Sequence, residues 1–316
     1  MVAIAGSRVA VGAFKDSIAE TSAGITFVYD VSSGTPGLPV ATLTKPTSSA
    51  FDYFGTSVAI SGTRVVVGAP NDDIAGPNAG SAYVFDLAGA NPFLPVSTLA
   101  SSSPASDSFG WSVAVSGARV VVGLPMDNQG GFHAGKALVY DLASSTPACP
   151  VLILANPLPS QEDDFGWSVA ISGKWVVVGA YSDDTMPGNT GSAYVYDLGS
   201  ATPGLPMLTL TNPSPAIGAD FGLSVAISGT RIVIGAPQDS TGAFLSAVLL
   251  ILTARLRITA APTFSACGRL WASSPPRRAS PRYHGRPPHR PGSCCNTQTG
   301  SRPPTGWRLR AARPIR

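Results

Sequence analysis

Hydrophobic residues recur along the chain in a fixed pattern that predicts repeated β-strands. The stretch "FGTSVAISGTRVVVGAP" begins at Phe54, close variants begin at Phe109, Phe165 and Phe221, and a shorter copy, "VAIAGSRVAVGAF", begins at Val2. The second half of each copy, such as "RVVVGA" or "RIVIGA", is continuously apolar instead of alternating. Strands of this kind lie in sheets that are covered on both faces, so each copy predicts a strand buried on both sides.

The spacing of these copies predicts the architecture. They lie 55 or 56 residues apart, and a period of this length indicates a repeat fold. Each unit contains four strand-like runs, which in the second unit are Ser57–Ser61, Arg64–Gly68, Ser81–Leu87 and Val96–Ala100. Short sequential connections favour an antiparallel meander. Four-stranded sheets that pack between their neighbours describe a β-propeller; a parallel β-solenoid is the competing architecture, but its coils are shorter.

The sequence therefore predicts an all-β chain with about four and a half propeller blades, forming an incomplete propeller. The units lie near residues 1–53, 54–108, 109–164 and 165–220, with a partial unit at 221–254. The first unit lacks the Phe-Gly pair that opens the others, which we interpret as a truncated N-terminus. An open arc of a larger ring and a closed five-bladed ring both remain compatible with this pattern.

The repeated motifs resemble a known family. Phe-Gly at the start of the unit, "VVVGAP" in its middle and "GSAYVFDL" later in it are similar to the FG-GAP repeat of integrin α-subunits and bacterial extracellular proteins. The resemblance covers about residues 1–242 and implies a propeller used extracellularly for adhesion or protein interaction. In integrin-like repeats the turn between the first two strands is a calcium loop rich in aspartate. Here that turn reads "ISGTR" or "VSGAR", without a carboxylate, so that calcium site does not carry over.

Composition divides the chain into two segments. Residues 1–254 contain 8 basic and all 18 acidic residues, whereas residues 255–316 contain 13 arginines and no acidic residue. The repeat ends after "GAPQDSTGA", and a further strand is expected near Ala247. We predict that residues 255–316 form a disordered Arg/Pro-rich tail. A nucleic-acid-binding arm is one interpretation; the absence of lysine favours the alternative, a frameshifted end of the reading frame.

Charged residues of the repeat separate between the two ends of the predicted blades. In a meander, the connections from strand two to three and from strand four to the next blade lie at one end, and both carry aspartates. The turns between strands one and two lie at the other end, and each copy carries a basic residue there: Arg8, Arg64, Arg119, Lys174 and Arg231. We therefore expect one acidic end with long loops, which is the best candidate for a contact surface because loops on rigid scaffolds carry most contacts.

The aspartates of the loop between strands two and three are the candidate metal ligands. Calcium prefers carboxylate and carbonyl oxygens, and the candidates are Asp72, Asp73, Asp127, Asp183, Asp184 and Asp239. The competing interpretation is that aspartate beside Gly and Pro forms turns through hydrogen bonds to its own backbone. The turn interpretation is favoured, with calcium as the possible cofactor.

The aromatic residues of the repeat are interpreted mainly as packing groups. The Phe-Gly pairs are expected to fill the gaps between blades, with the glycine allowing two backbones to approach closely; they are Phe54, Gly55, Phe109, Gly110, Phe165, Gly166, Phe221 and Gly222. Trp111 and Trp167 stand where other copies have Thr56 and Leu223. These two and Trp175 are either packing residues, which is favoured, or surfaces on which a glycan stacks.

The sequence points to a binding protein and away from an enzyme. The repeats contain one histidine, His133, and no serine elbow or glycine-rich loop before a helix. The longest apolar run, 243–254, is too short to span a membrane, and no signal peptide is visible. We therefore expect a non-catalytic interaction or adhesion module whose protein or glycan partner binds the acidic end. A calcium-binding structural propeller and a carbohydrate-active propeller enzyme are the alternatives.

Overall fold

The computed structural model describes residues 1–101, 107–184, 189–213 and 217–239. The chain divides into a unit of residues 1–258 and a second unit of residues 259–316. All described residues belong to the first unit. The strand expected near Ala247 and the tail at 255–316 lie outside the described residues.

The described residues form strands and turns and no helix. In the first blade the strands are β1 (Val2–Ala5), β2 (Arg8–Ala13), β3 (Ile25–Asp30) and β4 (Pro39–Leu43); in the second they are β5 (Ser57–Ser61), β6 (Arg64–Ala69), β7 (Ser81–Asp86) and β8 (Ser97–Ala100). In the third they are β9 (Ser112–Ser116), β10 (Arg119–Leu124), β11 (Lys136–Asp141) and β12 (Pro150–Ala155). In the fourth they are β13 (Ser168–Ser172), β14 (Trp175–Ala180), β15 (Ser192–Asp197) and β16 (Leu208–Thr211), and β17 (Ser224–Ser228) and β18 (Arg231–Gly235) follow.

Each blade is an antiparallel meander, as the sequence predicts. Strand order within every sheet is the order along the chain, giving four complete sheets and one two-stranded sheet. The register is regular: Ser61 pairs with Arg64 across the first turn of the second blade. The two turn residues begin with Gly62 at φ +61°, which is the conformation that a type II′ hairpin requires of its first residue. The described residues therefore form an incomplete β-propeller.

The hydrophobic core lies between consecutive blades. The middle strands are buried on both faces; in β6, for example, Val65, Val66 and Val67 have no exposed surface. Val65 and Val67 pack toward the preceding blade, whereas Val66 packs toward the following one. This two-sided burial explains why the second strand of each copy is continuously apolar.

The Phe-Gly pair links each blade to the one before it. Phe109 is fully buried and packs edge-on against Tyr140 of its own blade. Its backbone N–H donates to the carbonyl oxygen of Ala79 in the preceding blade at 3.0 Å. The next residue, Gly110, accepts a hydrogen bond from the Ser57 hydroxyl of the preceding blade at 2.7 Å. The same contacts recur at later blades, for example from Ser112 to Gly166 and from Ser168 to Gly222.

Glycine is required at this contact because two backbones meet there. A Cβ atom on Gly68 would lie closer than 3.0 Å to the carbonyl oxygen of Gly110, and the same relation holds between Gly123 and Gly166. A larger residue would push the blades apart.

Candidate functional site

Four polar clusters occupy equivalent places between consecutive blades, and we name them junctions 1 to 4. Each contains a residue one or two positions after the fourth strand of one blade, the residue two positions before Phe-Gly, and an aspartate after the second strand of the next blade. Junctions 1 to 3 also contain two residues of the third strand of that next blade. Junction 1 contains Lys45, Asp52, Asp72, Ser81 and Tyr83, and junction 2 contains Ser101, Asp107, Asp127, Lys136 and Leu138. Junction 3 contains Asn156, Asp163, Asp183, Ser192 and Tyr194, and junction 4 contains Asn212, Ala219 and Asp239. All of these residues are buried.

Junction 1 is held by an ion pair that crosses between blades. Lys45 Nζ lies 2.7 Å from Asp52 Oδ2 and 2.8 Å from Asp72 Oδ1. The hydroxyl of Tyr83 donates a hydrogen bond to the other oxygen of Asp72. Burial raises the pKa of Asp52, although Lys45 acts in the opposite direction. One ammonium group from the first blade therefore neutralises part of the charge of two carboxylates.

Junction 2 uses a lysine from a different strand. Lys136, the first residue of β11, places Nζ 2.5 Å from Asp127 Oδ2. Ser101 stands where junction 1 has Lys45, and its hydroxyl lies 3.5 Å from Asp107 Oδ2. Both junctions contain the two aspartates, but their lysines differ in position. In junction 1 the lysine follows the fourth strand of one blade, whereas in junction 2 it lies on the third strand of the next blade.

Junction 3 combines two buried aspartates with neutral donors. Asn156 Nδ2 donates to Asp163 Oδ2 at 2.8 Å, and the Tyr194 hydroxyl donates to Asp183. The backbone N–H and the hydroxyl of Ser160 donate to the two oxygens of Asp163 at 2.7 and 2.6 Å. Burial raises the pKa of Asp163, and the neighbouring aspartates raise it further.

The exposed Asp184 completes an acidic group at this junction. One carboxylate oxygen from each of Asp163, Asp183 and Asp184 lies within 4.8 Å of the other two. The Ser160 hydroxyl also lies 2.8 Å from Asp184 Oδ1.

Junction 4 carries a single buried aspartate. Asn212 Nδ2 donates to Asp239 Oδ2 at 2.9 Å. Ala219 occupies the place of the second aspartate, and Asp220 beside it accepts a hydrogen bond from Gln238 at 2.6 Å. This junction therefore has less charge to neutralise than junctions 1 to 3.

The six aspartates proposed as metal ligands from the sequence do not form one site. Asp72, Asp127, Asp183 and Asp239 each lie in a different junction, and Asp73 and Asp184 are exposed neighbours. The structure instead groups Asp183 and Asp184 with Asp163, which lies in the loop before the next Phe-Gly pair and is not among the six predicted ligands. The available signal was the position of Asp163 two residues before Phe-Gly, which places it against the next blade.

The two aspartate-bearing loop sets share one end of the blades, since Asp52 and Asp72 bind the same lysine. The expectation that these aspartates form an exposed acidic surface is wrong for most of them, because the loops of two blades meet there and enclose their side chains. The buried ones are Asp52, Asp72, Asp107, Asp127, Asp163, Asp164, Asp183 and Asp239. Some also form turns: Ile74 and Gln129 donate backbone hydrogen bonds to Asp72 and Asp127 at 3.2 and 3.0 Å.

The opposite end of the blades carries the basic turns but is not simply basic. Arg8, Arg64 and Arg119 pair in register with Asp30, Asp86 and Asp141 at the ends of the third strands. A hydrogen bond from Thr63 lowers the pKa of Asp86, and Arg64 lowers it further. These aspartates, which are not among the residues singled out from the sequence, balance the basic residues of the first three blades.

The inner strands line an open cavity of about 440 Å³. Its lining includes the first residues of β5, β9, β13 and β17, together with Thr56, Trp111, Trp167 and Leu223 at the acidic end. The indole rings of Trp111 and Trp167 lie 4.6 Å apart, and the Tyr181 ring lies 4.7 Å from Trp167. All three rings are half-buried, so they form a partly exposed aromatic row at the mouth of the cavity.

A carboxyl group with a raised pKa lies beside this row. Burial raises the pKa of Asp164 to about 6, although a hydrogen bond with Tyr181 lowers it. The backbone N–H of Trp167 donates to the Asp164 carbonyl oxygen at 3.0 Å. This carboxyl therefore changes charge in a mildly acidic range.

No curated protein matches the chain. A crystal structure of the computationally designed Ika8 protein aligns with a TM-score of 0.44 and 16% identity, covering 74% of this chain and 54% of that one; the chain thus spans about half the length of that protein. The described residues contain no helix long and apolar enough to cross a membrane.

The family model described as the FG-GAP repeat matches residues 39–85, 98–140, 159–196 and 209–245, which together make up more than half of the chain. Each match contains the Phe-Gly pair and the junction aspartates around it. With four matched repeats and four-stranded antiparallel blades, the chain belongs to the FG-GAP repeat family.

Proposed function

We propose that this chain is a non-catalytic interaction module that binds its ligand at the aromatic mouth of the cavity. The observation that carries the proposal is the row of Trp111, Trp167 and Tyr181, whose rings are held in place by one another yet remain partly exposed. Concave sites lined by aromatic side chains with a few polar groups are typical ligand sites, and the cavity volume lies in the usual range for them.

The proposed ligand is a glycan. Flat aromatic faces suit the apolar face of a sugar ring, and the Asp164 carboxyl and the serine hydroxyl oxygens at the starts of the inner strands supply acceptors for its hydroxyl groups. Binding to surface glycans would make the module adhesive. Because FG-GAP repeats are typical of extracellular proteins, we further propose that this takes place outside the cell.

Intrinsic tryptophan fluorescence and a glycan array test this function together. The wild-type protein is expected to bind a subset of glycans, and a Trp111→Ala/Trp167→Ala variant is expected to lose that binding. Trp175→Ala is the matched control, because Trp175 stacks under Lys174 at the opposite end of its blade. Equal binding by the wild type and the double variant would overturn the proposal, and binding of proteins in place of glycans would replace its ligand class.

The alternative of a carbohydrate-active enzyme has one observation in its favour, the raised pKa of Asp164 beside the aromatic row. Glycoside hydrolysis uses two carboxyl groups on either side of the bond that is cleaved. Incubation of the protein with any glycan that it binds, followed by analysis of the products, separates the two functions. The interaction module leaves the glycan intact, whereas the enzyme cleaves it and loses this activity on Asp164→Asn.

A further inference from the structure

We propose that junction 3 binds one calcium ion, in place of the lysine that binds both equivalent aspartates in junction 1 and one of them in junction 2. This inference does not depend on the proposed function. It rests on a comparison of repeats within the chain, on the arrangement of oxygen atoms at junction 3 and on one unpaired hydroxyl group.

Junctions 1 and 3 are built from nearly the same residues. Four of the five defining positions are identical, namely the two aspartates, the serine and the tyrosine, and the fifth is Lys45 in one and Asn156 in the other. The surroundings match as well. Ser49 donates its backbone N–H to Asp52 at 2.6 Å as Ser160 does to Asp163 at 2.7 Å, and each second aspartate is followed by an exposed one.

The two positions that supply a lysine elsewhere are both neutral in junction 3. Lys45 of junction 1 corresponds to Asn156, and Lys136 of junction 2 corresponds to Ser192. The aspartates have nevertheless been retained, and Asp163 and Asp183 are 0% and 1% exposed. Junction 4, which also has asparagine at the first position, has lost one aspartate to Ala219. Junction 3 is the one of the four junctions whose defining set contains two buried aspartates and no lysine. Carboxylates that are buried away from water need a compensating charge.

The oxygen atoms of junction 3 are arranged for a cation. One oxygen from each of Asp163, Asp183 and Asp184 lies within 4.8 Å of the others, a spacing that a single ion bound at 2.3–2.6 Å to each would span. Asp163 and Asp183 belong to different blades, and Asp184 opens the group to solvent. Water has access on that side to complete the coordination shell.

An unpaired hydroxyl group lies on the strand face from which Tyr194 reaches Asp183. Ser192 is 1% exposed, and its Oγ atom has no hydrogen-bond partner among the described residues. Ser192 and Tyr194 lie two residues apart on β15, so their side chains share one face of the sheet, and the Tyr194 hydroxyl reaches Asp183. In junction 1 the equivalent Ser81 lies on the face from which Tyr83 reaches Asp72, and there the cation is Lys45.

The chemistry of these groups selects calcium as the ion. All of the available ligands are oxygens, three of them from carboxylates, with no histidine or thiolate in the set. Hard divalent cations prefer such ligands, and calcium tolerates the irregular geometry of side chains from separate loops better than magnesium does.

Counting bound ions in three forms of the full chain tests this proposal. Calorimetric titration of chelator-treated protein with calcium chloride is expected to give one ion per chain for the wild type. Asn156→Lys makes the five defining positions of junction 3 identical to those of junction 1, and it is expected to abolish binding while the circular dichroism spectrum is unchanged. Lys45→Asn makes junction 1 identical to junction 3 at these positions, and it is expected to bind a second ion.

The outcomes are distinguishable. No binding by the wild type at millimolar calcium would overturn the proposal, and so would an Asn156→Lys variant that binds as the wild type does. A preference for magnesium at equal concentration would overturn the choice of ion. If Lys45→Asn fails to fold, a second titration compares the calcium affinity of the wild type with that of Asp163→Asn. A folded Asp163→Asn variant is expected to lose affinity, and unchanged affinity would overturn the proposal. None of these titrations reports on the aromatic mouth, so failure of this site leaves the proposed function untouched.

Discussion

Removal of the lysine of junction 2 is expected to destabilise the protein strongly. Lys136→Met keeps the aliphatic stem of the side chain but removes the ammonium group, whose Nζ lies 2.5 Å from Asp127 Oδ2. The two residues are 8% and 2% exposed, so the change leaves a carboxylate that is buried without its cation. Loss of one partner of a buried ion pair costs about 3–5 kcal/mol, and we expect the free energy of unfolding to fall by that amount.

The chain supplies its own control for this measurement. Lys174 Nζ lies 2.7 Å from Asp197, a similar distance, but the lysine side chain is 50% exposed. Lys174→Met is therefore expected to cost at most about 1 kcal/mol, as exposed pairs do. The double variant Lys136→Met/Asp127→Asn removes the unpaired charge and is expected to recover most of the loss.

Urea unfolding followed by far-ultraviolet circular dichroism is the assay, because urea is uncharged and does not screen ion pairs. The reasoning is refuted if Lys136→Met costs no more than Lys174→Met. It is also refuted if the double variant is no more stable than Lys136→Met.

Further predictions address packing and pH dependence. Gly123→Ala places a Cβ atom against the carbonyl oxygen of Gly166 and is expected to cost about 1–3 kcal/mol in urea unfolding. Gly117 has φ +60° but open space around it, so Gly117→Ala should cost about 1–2 kcal/mol through backbone strain alone. Because this change leaves the contacts between blades intact, only Gly123→Ala should disturb the near-ultraviolet circular dichroism spectrum. Phe109→Ala should cost about 3–5 kcal/mol, since the ring is fully buried; a loss below about 1 kcal/mol would contradict its packing role. The folded-state pKa of Asp164 is about 6, against an ordinary value of 3.8. The folded protein therefore binds this proton more tightly than the unfolded chain does, and its stability should fall as pH rises from about 4 to about 6. In the presence of chelator, the Asp164→Asn variant should lack that part of the decrease, and identical pH profiles for the two proteins would contradict the shift.

The fold was largely predictable from the sequence because its signals are local and repeated. In the second blade the predicted runs differ from β5–β8 by at most one residue at any boundary. Gly62 marks the first turn, and the unbroken "RVVVGA" run marks a strand between two sheets. Each copy of the repeat confirms the others, so one ambiguous segment does not change the result.

The junctions were not predicted because their partners come from different copies of the repeat. The sequence shows Asp72 beside Gly and Pro, which is a turn pattern, and it does form a turn through Ile74. The sequence does not show that Lys45, which lies 27 residues earlier in another blade, forms an ion pair with the same carboxylate. An alignment of the repeats shows that the position of Lys45 is occupied by serine in one copy and by asparagine in two others. That alignment would have revealed that the lysine is not at the same position in every junction.

Under our proposal each pair of buried aspartates between blades needs one cation, supplied by lysine in two junctions and by calcium in the third. A crystal structure of crystals grown with calcium chloride, with anomalous diffraction measured at long wavelength, tests this claim most directly. We predict one anomalous peak among the carboxylates of Asp163, Asp183 and Asp184, with the ammonium groups of Lys45 and Lys136 at the equivalent places in junctions 1 and 2. A peak in either of those junctions, or an arginine or lysine side chain at junction 3 in place of the ion, would contradict it.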